Sequence, residues 1–314
     1  MRSRRRLSVP RARSTTWPAA LVARPLVRRH PRAAAILGLL VIAAAACTGG
    51  PPPGPPAEVV AVQRATLPQD PADAAWRDVP VFPAALLPQD MVEPRLLEPS
   101  TREVQIRAIT DGTRLAFRLE WADASGDDRP GVARFSDGCA VQLPAEVRAD
   151  VPAPQMGETG RPVEITYWRA AWQAMVDGRE DTIKALEPGA AIDHYPFEAA
   201  PLEPGSPEQV AMAKRYAPAR ALENHMAGPR DQPVEDLIAE GPGTLRPAAE
   251  TRSTGRGARG PNGWTVALAR PLPAGLGPGT RSQVAVAVWE GAHGEAGARK
   301  MRSVWIPIAI EGKK

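Results

Sequence analysis

Three histidines lie outside the N-terminal segment, His194, His225 and His293, and they narrow what catalysis this chain of 314 residues could perform. None adjoins a Gly-x-Ser-x-Gly elbow or a cysteine in a reactive setting, so no nucleophilic triad is written locally. None stands four residues from another, the spacing that puts two imidazoles on one helix face, and this makes a poor zinc site. Asp123 and the pair Asp127-Asp128 form an acidic loop after Trp121. Its oxygens suit calcium, but a solvated loop is the commoner outcome for such a run. No phosphate-cradling Gly-x-x-x-x-Gly-Lys or Gly-x-Gly-x-x-Gly motif follows a strand, so nucleotide binding is unsupported. The two cysteines, Cys47 and Cys139, cannot hold an iron–sulfur cluster or a Cys-rich zinc site, and no Cys-x-x-Cys-His is present for covalent haem attachment. Metal chemistry would have to draw on other ligands. Cys139 lies in the alternating run Cys139, Val141, Leu143 and reads as a buried, inert thiol.

The charge of the chain is concentrated at one end. Residues 1–46 hold ten of the basic side chains, all arginine, and no acid; without them 29 basic residues face 35 acidic ones. The overall +4 thus turns into a net charge near −6, which removes the support for a nucleic-acid partner. The segment itself reads as targeting. A basic stretch precedes the apolar run Ala33–Ala46, about the length of a signal-peptide core and too short to span a bilayer comfortably. Ala44, Ala45 and Ala46 lead into Cys47, which we take as the lipidated first residue of a mature lipoprotein; an ordinary signal peptide is the alternative. Ser3-Arg4-Arg5-Arg6-Leu7 adds a hint of a twin-arginine signal. Residues 47–71, opening with a run of prolines and glycines, form a stiff tether.

The elements that must position any site are strands. Beyond residue 72, period-two alternation recurs at Val104/Ile106/Ala108, Leu115/Phe117/Leu119/Trp121, Val141/Leu143 and Val163/Ile165/Tyr167. It returns at Trp264/Val266/Leu268, Val284/Val286/Val288 and Val304/Ile306/Ile308/Ile310. Alternation over four to eight residues marks half-buried strands, and Asp111-Gly112 marks a hairpin between the first two. Seven such strands with Gly/Pro-rich turns predict a mainly β protein, an antiparallel β-sandwich spanning 72–314. Residues 177–262 lack alternation and read as a loop and helix insertion between the strand groups. Within it, Ser206-Pro207-Glu208 has the chemistry of a helix start, with Pro218 as its stop. A second short helix is expected over Val234–Ala239, and Arg252–Gly263 reads as a loose Gly/Arg-rich segment.

Three stretches in order carry a resemblance. They are Ile106-Arg107-Ala108 through Leu119-Glu120-Trp121-Ala122-Asp123; Ala140-Val141-Gln142-Leu143-Pro144 leading to Gln155-Met156-Gly157 and Val163-Glu164-Ile165-Thr166-Tyr167-Trp168-Arg169-Ala170; and Val286-Ala287-Val288-Trp289-Glu290-Gly291 leading to Gly294-Glu295, Arg299-Lys300 and Ser303-Val304-Trp305. With Val234-Glu235-Asp236-Leu237 and Glu240-Gly241-Pro242-Gly243-Thr244 between them, the pattern from about Trp76 to Ile310 resembles the haem b (gamma) subunits of type II molybdoenzymes of the dimethyl-sulfoxide-reductase superfamily. These serve ethylbenzene and dimethylsulfide dehydrogenases and chlorate, selenate and nitrate reductases.

The resemblance implies a sandwich holding one non-covalent haem b with methionine and lysine as axial ligands, Met156 and Lys300 in this chain. It also implies electron transfer without substrate chemistry, for a molybdopterin catalytic subunit and an iron–sulfur subunit, on the outer face of the cell membrane. A neutral, soft thioether favours ferrous iron, and a lysine ligates only as the free amine, which burial promotes. Left to themselves, a methionine most often plugs a core and a lysine most often snorkels. His293, in the same stretch as Lys300, is the rival ligand; His194 and His225 rank below it. Tyr167 and Trp168 are candidates for the haem edge, while Trp121, Trp168, Trp289 and Trp305 also suit core and pocket wall. The alternative from another class is a carbohydrate-binding lipoprotein without haem, in which Trp168 or Trp289 would lie on an open face.

Overall fold

The computed structural model describes residues 56–191, 202–203 and 205–312; Cys47, the signal segment and His194 lie outside them. Fourteen strands follow in order: β1 (Val59–Gln63), β2 (Phe82–Ala85), β3 (Leu87–Pro88), β4 (Glu103–Thr110), β5 (Arg114–Ala122), β6 (Gly138–Pro144) and β7 (Val163–Arg169). Then come β8 (Val234–Ala239), β9 (Arg246–Pro247), β10 (Thr254–Gly260), β11 (Gly263–Pro271), β12 (Arg281–Trp289), β13 (Met301–Arg302) and β14 (Ile306–Ile310). Helices are few and short: α1 (Ala170–Val176), α2 (Ile183–Leu186), α3 (Pro207–Tyr216) and α4 (Pro218–Ala221). The mainly β expectation holds, and the seven alternating runs all become strands.

The strands hydrogen-bond in the order β10-β11-β5-β4-β1-β14-β12-β6-β7-β8-β9. β12 is the corner. Its first half, Arg281–Val284, pairs with β14, and its second half, Ala285–Trp289, pairs with β6. The ribbon therefore folds over on itself, and the two leaves meet through large side chains. Trp168 of β7 lies edge-to-face on Trp264 of β11 and on Trp121 of β5, with centroids 5.1 and 6.5 Å apart. One core fills the interior, with Ile106, Phe117, Leu119, Val141, Leu143, Val286, Val288 and Met301 all buried. Such alternating inner faces are the packing of a sandwich.

Three local expectations need correction. Val59–Gln63, read as tether, is β1: it runs parallel to both β14 and β4, so the sheet is mixed there. Val59 and Ala61 are buried, which gives this short run a place between two strands. Val234–Ala239 is strand β8 rather than a helix. Both its faces are covered, so Val234, Leu237 and Ala239 are buried without simple alternation. Its Asp236 accepts from Thr166 and from the backbone and hydroxyl of Ser253, which satisfies an acid where alternation would place an apolar residue. Arg252–Gly263 contains strand β10, which pairs along its whole length with Gly263–Ala269 of β11. Its glycines answer a steric demand: a Cβ at Gly257 would stand 2.1 Å from the Trp168 ring, and one at Gly255 would stand 2.5 Å from Val234. The helix start at Pro207 is as expected, with the Ser206 hydroxyl accepting the Gln209 N–H at 3.2 Å.

Candidate functional site

Residues directly opposite each other in antiparallel strands point to the same face. One such row crosses the second leaf as Arg302, Ala287, Ala140, Tyr167 and Glu235, from β13 through β12, β6 and β7 to β8. The next row on that face is Ala285, Gln142, Ile165 and Leu237. Since Cys139, Val141, Val286 and Val288 fill the interior, these rows form the outer face of the leaf. Its centre is a floor of small side chains, Ala140, Ala285 and Ala287, all buried beneath what packs on them.

Met156 and Lys300 both adjoin this face. Met156 packs against the cluster of Ala140, Val163, Ile165, Leu237, Ala287 and Trp289, together with Tyr167 and Trp305. The Lys300 ammonium stands 5.1 Å from the centroid of the Trp289 ring. Burial, and secondarily the charge of Arg302, lowers the Lys300 pKa to about 8. At neutral pH roughly one amine in ten is then unprotonated, against fewer than about one in a thousand for an ordinary lysine.

Each loop is held at several points. In the Met156 loop, Gln142 donates its side-chain N–H to the Pro154 carbonyl at 3.0 Å, and the Gly241 N–H donates to the Met156 carbonyl at 2.8 Å. Gly157 follows with a φ of 77°, and a Cβ there would sit 2.9 Å from the Arg161 carbonyl. Met156 itself adopts a φ of 68°, a region that costs any L side chain about 1 kcal/mol or more. The turn is closed by the Gly157 N–H donating to the Ala153 carbonyl at 2.9 Å. On the other side, Gln89 clamps the Lys300 loop: its backbone N–H donates to the Lys300 carbonyl at 2.9 Å and its side chain donates to Ala298 at 3.1 Å. The Trp289 indole N–H closes the turn on Gly297 at 3.0 Å.

Other sequence candidates are placed differently. Tyr167 belongs to the outer face, edge-to-face with Trp289 and Trp172 at 5.2 and 5.4 Å, and burial pushes its phenol up to about 12. Trp168 does not join it. As the next residue along β7 it points into the core, where its indole donates to Gln173, and the expectation that it lines the same edge is corrected by that alternation. His293 is more than half exposed and pairs with Glu290 at 3.1 Å. His225 pairs with Glu235. Neither Trp168 nor Trp289 lies on an open face, at 0% and 8% exposure, as a sugar platform would require. The acidic loop is held internally: Ser125 donates to Asp127, and the Asp127 N–H donates to Asp137. Among the described residues no cluster of three histidine, cysteine or acidic side chains is arranged to hold a metal ion. A cleft of about 760 Å³ opens elsewhere, between Gln105, Trp121, Asn262 and Glu290, with neither Met156 nor Lys300 in its wall. Gln89 and Arg302 escaped the sequence reading; no motif marks them, and the register of β13 reveals the position of Arg302.

A mainly β sandwich with a thioether and a readily deprotonated amine on one apolar face is the class of protein defined here. The ethylbenzene dehydrogenase family model matches residues 73–301, and the chain belongs to that family. A curated relative from Haloferax mediterranei, "Putative respiratory nitrate reductase heme subunit ORF7", is 34% identical over 125 residues. That match spans 39% of this chain and 42% of the relative. Among solved structures, a family 9 carbohydrate-binding module of Caldicellulosiruptor kristjanssonii in complex with cellotriose is similar at 9% identity and a TM-score of 0.40, over 82% of this chain and 94% of that one. The same module in complex with glucose gives 9% identity and a TM-score of 0.35, over 82% and 96%. Among the described residues no helix is long and apolar enough to cross a membrane.

Proposed function

We propose that this chain is a haem b electron-transfer subunit, with Met156 and Lys300 as the axial ligands. The observation that carries the reading is the Lys300 ammonium 5.1 Å from the ring of Trp289, a member of the cluster that Met156 packs against. Family membership and the haem subunit named for the Haloferax relative support it. The donor set fits the group. Met156 offers a soft neutral sulfur, Lys300 offers an amine that loses its proton at little cost, and the alanine floor and Trp289 exclude water between them. Held by Met156 and Lys300, a haem would supply one-electron redox chemistry. The chain's own residues then bind, orient and insulate, and substrate chemistry belongs to other subunits. By the same reading the partners are a molybdopterin subunit and an iron–sulfur subunit. The complex lies outside the cytoplasm, and Cys47 carries the lipid that holds this chain to the membrane.

The test is the absorption spectrum of the purified chain. A Soret band with a six-coordinate low-spin reduced spectrum is expected. Met156→Ala and Lys300→Ala should each change that spectrum while the protein remains folded by circular dichroism. A folded chain that takes up no haem, or variants with unaltered spectra, would sink the assignment.

A further inference from the structure

The stretch Arg299–Arg302, which follows the Trp289 turn, carries an unbalanced group of cations. Arg302 lies in the row that includes Leu87, Ala287 and Ala140, its side chain is only 13% exposed, and its Nε is buried with no hydrogen-bond partner. The carboxylate paired with it is that of Asp90, 64% exposed and 3.9 Å away, too distant for a hydrogen bond. Arg299 repeats the pattern, its Nε also buried and unpartnered. Lys300 stands between these two in the chain, and the charge of Arg302 reaches it strongly enough to disfavour its protonated form. Three cationic side chains within four residues, two with orphaned buried donors, are costly to bury unless an anion completes them. Each guanidinium presents a planar fork of donors that suits a carboxylate.

We propose that Arg302 and Arg299 form the carboxylate-binding edge of this site and pair with the two propionates of the haem. This rests on the function proposed above and deepens it. Lys300 holds the iron from one side while the arginines flanking it in sequence fix the rotation of the macrocycle over the alanine floor. One short stretch thereby supplies both an axial ligand and the groups that set the haem's orientation.

The experiment uses the full chain stripped of haem and titrated with ferric haem or with its dimethyl ester, in which both propionates are neutral, following the Soret band. The wild-type chain is expected to bind haem about tenfold or more tighter than the ester, as paired buried charges should. Arg302→Gln, and separately Arg299→Gln in the more exposed turn, should each weaken haem binding about tenfold and leave the ester's affinity and the ligation spectrum unchanged. Equal wild-type affinity for the two porphyrins, or variants that lose both alike, would overturn the propionate assignment while leaving Met156 and Lys300 ligation standing. A wild-type chain that binds neither porphyrin overturns both.

Discussion

The indole N–H of Trp305 donates to the carbonyl of Pro152 at 2.6 Å, tying the loop that carries Met156 to the strand pair that follows Lys300. The two residues are 153 positions apart in sequence, and both loops flank the outer face of the second leaf. Trp305→Phe keeps the ring over the apolar cluster but orphans the Pro152 carbonyl. We expect a loss of about 1–2 kcal/mol in urea denaturation and a faster release of haem to an acceptor protein. An unchanged release rate would mean that the loops hold their positions without this tie.

Met156 is the second test because its backbone and its side chain make opposite demands. With φ at 68°, glycine would be the unstrained residue, so Met156→Gly should leave the haem-free protein more stable than Met156→Ala, by about 1 kcal/mol. Both variants lack the sulfur, and both should show a lower midpoint potential than the wild type if the thioether is an axial ligand. Equal stability of the two would show that the loop relaxes out of the left-handed region.

Much of this arrangement was legible in the sequence. The seven alternating runs became β4, β5, β6, β7, β11, β12 and β14, because each has one face on the shared core and the period-two signal survives. What escaped was burial on both faces. β8 lost its alternation to Asp236, whose charge is satisfied by Ser253 across the sandwich, and β10 hid its alternation in glycine, where absence of a side chain is what fits beneath Trp168. Of the candidate site residues named from the sequence, Tyr167 faces the cluster that Met156 packs against. Trp168, which suited the haem edge and the core alike, takes the core, since a strand residue's neighbour always points the other way. Arg299 entered only as the neighbour of Lys300 and Arg302 not at all, because unpaired burial is a three-dimensional property.

Asp137 supplies a pH dependence of defined sign. It is fully buried and accepts from Asp127 N–H at 2.7 Å, the Trp264 indole at 2.9 Å and Gly291 N–H at 2.8 Å. Burial nonetheless raises its pKa to about 6, outweighing those three bonds, with Asp123 adding to the effect. The folded protein therefore holds a proton on Asp137 that the unfolded chain has already lost between about pH 4 and 6. Its contribution is largest below pH 4 and is lost as pH rises through 6. Measured against Asp137→Asn, the wild-type advantage should shrink over this window by an amount on the order of 2 kcal/mol. Parallel stability profiles for the two proteins would show that the carboxyl keeps the same pKa folded and unfolded.

Gly257 tests the closure of the two leaves directly. It lies in β10 opposite Val266, its N–H donates to the buried Gln173 side chain at 2.8 Å, and the space its Cβ would need is taken by the Trp168 ring. Trp168 cannot retreat, being wedged edge-to-face against Trp121 and Trp264 and held through its own indole by the same Gln173. Gly257→Ala should therefore force the β10–β11 hairpin away from β7 and cost about 3 kcal/mol. Gly260, at the end of the same strand, has only the Gly263 carbonyl 3.7 Å from its would-be Cβ. Gly260→Ala should change stability by less than about 0.5 kcal/mol. If thermal unfolding shows the two substitutions to be equally mild, β10 is not packed on Trp168 and the leaves are open at that edge.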